Sequence, residues 1–119
     1  MTERTTKQAE EPRIRLRQLS EVSWQPAGDE GVYFAGLHQT GPGAGTAFFR
    51  WEEGARSTRH NHPGGEELFM VQGRLRVGDH TLEEGDYLYT PPGGVHDAMA
   101  VTEAVALITL PGGIEFLHG

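Results

Sequence analysis

The sequence of 119 residues has no cysteine and a single lysine, Lys7. The first absence removes disulfides, iron–sulfur clusters, thiolate zinc sites and a cysteine nucleophile. The second removes a buried Schiff-base lysine and a phosphate-loop lysine, because Lys7 stands in a polar opening segment. Positive charge is scarce as well. Ten Lys plus Arg against 17 Asp plus Glu leave a net charge of −7, a sign that repels nucleic acid and anionic membrane surfaces. No apolar run approaches the roughly 18 residues of a membrane span, and residues 1–12 hold no hydrophobic signal region. The expectation is a soluble, cytoplasmic domain with no nucleic-acid or membrane partner. Its chemistry must rest on His, Asp, Glu, Arg and Tyr.

What is abundant is turn formers: 17 glycines and 7 prolines, about a fifth of the chain, set singly or in pairs between apolar stretches. That pattern predicts many short strands rather than helices. Residues 1–12, polar and aperiodic, read as a disordered tail, and 13–119 as a single domain. In 13–19 the apolar positions alternate, predicting a strand with Ile14 and Leu16 inward and the arginines outward. Further strands are expected at 32–37, 46–51, 56–62, 66–71, 74–77, 87–89, 95–101 and 105–110. Each separator contains Gly or Pro, and such spacing indicates an antiparallel sandwich or barrel. The glycines of 41–45 lack a following Lys-Ser/Thr and read as a hairpin loop.

The informative stretch is His60-Asn61-His62-Pro63-Gly64-Gly65-Glu66. Strand residues two apart point to one face, so His60 and His62 project side by side, where one metal ion can be bound. A turn at 63–65 follows, and the carboxylate of Glu66 is available as a third ligand. After a second tight turn at 91–94, His96 is available as a fourth. Three imidazoles and a carboxylate suit Fe, Mn, Ni, Cu or Zn as a single divalent ion. Such a set leaves coordination positions open for Lewis-acid chemistry.

The spacing Gly54-x5-His60-x-His62-x3-Glu66-x6-Gly73, followed by Gly85-x5-Pro91-x-Gly93-x2-His96, resembles the two signatures of the cupin superfamily. The resemblance implies an all-β fold, a double-stranded β-helix or jelly-roll barrel. The run His-Pro-Gly-Gly-Glu-Glu looks most like the ChrR-type subgroup, in which the first Glu is the ligand. Glu66 is therefore expected at the metal and Glu67 outside or behind it, although strand parity alone does not choose between them. The second signature usually closes with Asn four residues after its His, and here that residue is Ala100. With His96 inward, Ala98 and Ala100 share its face, leaving room for a ligand or for bulky side chains of the opposite sheet.

The resemblance implies a metalloenzyme of dioxygenase type acting on a small molecule, with Glu66 also a candidate base. The alternative it implies is a non-catalytic zinc-binding or ligand-sensing module. A homodimer is the expected assembly, with 13–19 offering an edge strand. His38, His80 and His118 stand near turns or the terminus and read as exposed. Trp24, Phe48, Phe49, Trp51 and Phe69 are core or interface candidates, and whichever of Phe48 or Phe49 faces inward is expected to wall the pocket. Arg50 and Arg59 could meet an anionic substrate, and Tyr87 or Tyr89 a proton, but outward placement and packing are their ordinary roles.

Overall fold

The computed structural model describes residues 11–117. The expected tail lies almost wholly outside these residues, and so does His118. The strands are β1 (Gln25–Pro26), β2 (Val32–Gly41), β3 (Ala44–Trp51), β4 (Arg56–His62), β5 (Glu66–Gln72), β6 (Leu75–Val77), β7 (His80–Leu82), β8 (Tyr87–Thr90), β9 (Gly94–Ala100), β10 (Ala104–Leu110) and β11 (Glu115–Phe116). They form two antiparallel sheets, ordered β1-β2-β3-β10-β5-β8 and β11-β4-β9-β6-β7. This is the jelly roll that the sequence pattern implies. Among the described residues no helix is long and apolar enough to cross a membrane.

Alternation builds the core. On β5, Glu66, Leu68 and Met70 are buried while Glu67 and Phe69 are exposed. On β10, Ala104, Ala106, Ile108 and Leu110 turn inward and meet Leu75 and Val77 of the facing sheet in one apolar cluster. Burial of such residues at about 25 cal/mol per Å² drives the two sheets together.

Two motif glycines have separate steric reasons. Gly73 adopts φ +80°, and a Cβ there would collide with the carbonyl oxygen of Glu103. Gly64 lies where the turn after β4 crosses the segment after β10, and a Cβ on it would stand 2.5 Å from the Gly112 nitrogen. Close approach of two backbones, rather than a left-handed φ, demands glycine at that crossing.

One expected strand does not form. Residues 11–18 carry no regular structure, Leu19–Glu21 make a single 3-10 turn, and Ile14 and Leu16 are fully and largely exposed. Alternation makes a strand only when a neighbour supplies hydrogen bonds and a core supplies a buried face; this segment has neither. It therefore offers no edge strand for pairing, and the sheet edges belong to β1, β8, β11 and β7. β1, β7 and β11, each of two or three residues, were too short for periodicity to mark.

Candidate metal centre

β4 and β9 are neighbours in the five-stranded sheet, and their register sets His60 directly opposite His96 and His62 opposite Gly94. His60 and His62 share the inner face because Asn61 between them points the other way, its amide donating to Glu115 at 2.9 Å. The turn at 63–65 then carries the chain into the other sheet. Glu66, the first residue of β5, reaches back from there. Local spacing supplies one pair, strand register brings His96, and the sheet-to-sheet turn brings the carboxylate.

The rings are close: centroids lie 4.6 Å apart for His60–His62, 4.3 Å for His62–His96 and 5.5 Å for His60–His96. His60 Nδ1 donates to the Thr58 carbonyl at 2.6 Å, and His62 Nδ1 to the Gly94 carbonyl at 2.8 Å. Because a carbonyl only accepts, both rings carry their proton on Nδ1 and leave Nε2 as a bare lone pair. Glu66, 4% exposed, sets Oε1 3.1 Å from His96 Nε2 and Oε2 3.4 Å from His62 Nε2.

Two buried nitrogens, His62 Nε2 and His96 Nδ1, have no hydrogen-bond partner. Each such orphan costs about 1–3 kcal/mol, and a cation among the rings removes that cost for any nitrogen that ligates it. One donor atom from each of the three histidines lies within 4.8 Å of the others. Two ligands of one ion with bonds near 2.1 Å stand at most about 4.2 Å apart, so small side-chain adjustments close the set. The donor set therefore fits a divalent ion.

The electrostatics agree. Burial would raise the Glu66 carboxyl, but the His62 and His96 imidazoles beside it outweigh burial and hold the pKa down to about 2. Burial lowers His60. Burial also pulls His62 down, yet Glu66 and the Gly94 carbonyl prevail and leave it raised. The centre thus keeps an ionised carboxylate between imidazoles.

Other candidates fall elsewhere. Glu67 is exposed and accepts from the Tyr87 hydroxyl at 2.8 Å; Tyr87 and Tyr89 are both more than half exposed, so neither phenol reaches the histidines. Arg50 lies over Tyr33 and Trp24 and meets Glu103 at 3.5 Å on the outside, and Arg59 is exposed. His38 and His80 are exposed as expected. Ala98 lines the space beside the histidines, whereas Ala100 is packed in the core.

A small chamber of about 50 Å³ adjoins His60, Glu66 and His96. It abuts a larger cavity of about 640 Å³, and Ala27, Phe49, Ile108, Leu110, Ile114 and Phe116 wall both. Phe49, not Phe48, is thus the inward aromatic. Ile114 and Phe116 were missed in sequence, because β11, which carries Phe116, is only two residues long.

A jelly roll with a histidine cluster between its two sheets defines the cupin class. Residues 13–113 match the ChrR Cupin-like domain, and the chain belongs to that family. None of the curated proteins matches it. Among solved structures it is similar to a putative acetylacetone dioxygenase from Methylibium petroleiphilum PM1, at 21% identity over 92% of this chain and 84% of that one, TM-score 0.79. An acetylacetone dioxygenase from Acinetobacter johnsonii is similar at 20% identity over 92% and 80%, TM-score 0.75. At these identities the likeness is one of fold. A Rhodobacter sphaeroides structure of SigE in complex with the anti-sigma ChrR is similar at 26% identity over 79% of this chain and 51% of that chain, TM-score 0.68.

Proposed function

We propose that this chain is a mononuclear metal-dependent enzyme of dioxygenase type, with His60, His62, Glu66 and His96 as ligands and a small enolisable or dicarbonyl-type molecule as substrate. The observation that carries the reading is the buried histidine cluster, with two imidazoles fixed by backbone carbonyls, beside a cavity of substrate size. A divalent ion held there supplies Lewis acidity and open positions for a substrate oxygen and for O₂. The protein's own part is orientation and exclusion. Glu66, ionised at neutral pH, supplies the one anionic ligand; with its pKa held down to about 2 it is a weak base, so it would take a C–H proton only from a substrate that the ion has made acidic. Ala98 leaves space beside His96, and Phe49 and Ile108 keep the chamber apolar on its open side. The fold likeness to two acetylacetone dioxygenases supports the reaction class.

Metal analysis of the purified protein, joined to oxygen uptake with 1,3-dicarbonyls and catechols, tests this. About one divalent ion per chain is expected, lost together with oxygen uptake in His96→Ala. Unchanged metal content in that variant would sink the site. The identity of the ion, Fe, Mn, Ni, Cu or Zn, comes from the same measurement. Membership of the ChrR Cupin-like family favours a second reading, a zinc-binding or ligand-sensing regulatory module. Tightly held zinc with no oxygen uptake is its signature. Homodimerisation belongs to both readings, and a sedimentation mass equal to one chain would remove it.

A further inference from the structure

The 640 Å³ cavity differs in charge from the rest of the molecule. Seventeen Asp and Glu against ten Lys and Arg give the chain its net −7, yet among the described residues no carboxylate lines this cavity, and the ionisable groups that do are Arg15 and His38. Arg15 Nη2 donates to His38 Nδ1 at 3.0 Å. Since Arg only donates, His38 accepts at Nδ1 and carries its proton on Nε2, which gives the pair a second kind of donor beside the guanidinium fork. Among the described residues no carboxylate lies within ion-pairing distance of Arg15, whereas Arg50 and Arg74 are paired with Glu103 and Glu83. Apart from Gln39 and Thr46 the remaining walls are apolar, with Phe34, Phe49 and Phe116 the largest, and Gly36 opposite Ala47 keeps the space open.

We propose that this cavity takes an elongated apolar molecule bearing one carboxylate, the carboxylate held at the mouth by Arg15 and His38 and the far end delivered to the histidine chamber. The length follows from β2. Phe34, Gly36 and His38 all line the cavity, and Phe34 pairs with Phe49, the wall shared with the chamber. β2 is irregular between Gly36 and His38, where Phe34 faces Phe49 and His38 faces Thr46, so the stretch spans three to four strand steps, roughly 10–13 Å. That is about the reach of a ten-carbon acid. A short diketone alone would leave Arg15 unmatched. The inference rests on the proposed function and deepens it: the enolisable or dicarbonyl group would lie at the far end of such an acid, in the histidine chamber.

The test compares decanoate with 1-decanol, equal in chain and different in charge, by isothermal titration of the protein as purified. Decanoate is expected to bind at least roughly tenfold tighter, the value of a charge-assisted hydrogen bond. Arg15→Gln is expected to abolish that preference while leaving decanol binding and metal content unchanged, with Arg15→Lys retaining part of it. Rising salt should erode the preference, because Arg15 is exposed. Equal weakening of both ligands by Arg15→Gln, or none, overturns the proposal. His96→Ala separates the two readings. A preference that survives His96→Ala and falls with Arg15→Gln supports the mouth site even if no metal is ever found. One that falls only with His96→Ala puts the carboxylate at the metal, which overturns this inference and leaves the proposed function standing.

Discussion

The chamber and the cavity share six lining residues but are built in opposite ways. Around the chamber, polar side chains are fixed: His60 and His62 each give Nδ1 to a carbonyl, and Glu66 bridges toward His62 and His96. Around the cavity the surfaces are mostly apolar and come from β2, β3, β10, β11 and the irregular segment 11–18. Side chains locked by hydrogen bonds can hold a reacting centre to within a fraction of an ångström. Apolar walls from distant elements set shape and length instead. The difference assigns chemistry to the first region and selection to the second, so changes in one should leave the other's readout in place.

The largest break in that division is expected from His62→Ala. His62 is fully buried and donates to Gly94, so its loss removes a ligand and frees Glu66 on one side. Metal affinity should fall at least roughly 100-fold, beyond what loss of an outer-sphere partner gives. Titration with the metal alone measures it, and decanoate binding should persist. Chelation acts on the same term: an ion present at 1,000 times its Kd adds about 4 kcal/mol. Removing it from the wild type should therefore lower Tm by roughly 15 °C. An unchanged melting curve after metal removal would show that the cluster holds no ion.

Proton competition is the next effect in size. The histidines bind metal only when deprotonated. His62 is raised above its usual 6.5 and His60 lowered, while Glu66, near 2, stays ionised throughout. The sign follows: affinity is highest above pH 7, begins to fall before 6.5 as His62 takes its proton, and steepens below 6.5 as His60 joins. About tenfold per pH unit per histidine is expected. Metal titrations at pH 7.5, 6.5 and 5.5 measure the slope. A flat profile would mean that these imidazoles are not ligands.

The same division explains what could be read from the sequence. The chamber rests on short-range rules: parity in His60-Asn61-His62, a Gly-rich turn before Glu66, a second turn before His96. Each is a spacing, and spacings are visible in a string of letters. Even there, Gly64 did its work through a crossing with Gly112, 48 residues on, which no local rule displays. The cavity depends on contacts of that long-range kind. Arg15 looked like the outer face of a strand, but residues 11–18 form none, and Arg15 instead lies at the mouth beside His38, 23 residues away. Arg50, the better sequence candidate for an anion, is held outside by Tyr33, Trp24 and Glu103.

Phe49→Ala, the mildest change for the metal, sharpens the comparison most because Phe49 belongs to both regions. Its ring packs 6.2 Å from Phe34 and 6.1 Å from Trp51, and it is only partly buried. Truncation should cost about 2 kcal/mol, below the range for a fully buried Phe, and lower Tm by roughly 8 °C. None of the histidines relies on it for a hydrogen bond, so metal content should match the wild type. Ligand binding should change, since a wall common to the chamber and the cavity is cut back. Decanoate should weaken by a few-fold, and bulkier aromatic acids should gain relative to it, because the space beside Phe34 widens while Arg15 is untouched. Loss of metal in Phe49→Ala would mean that the aromatic wall is part of what holds the histidines. The two regions would then be one unit rather than a reacting centre and a selector.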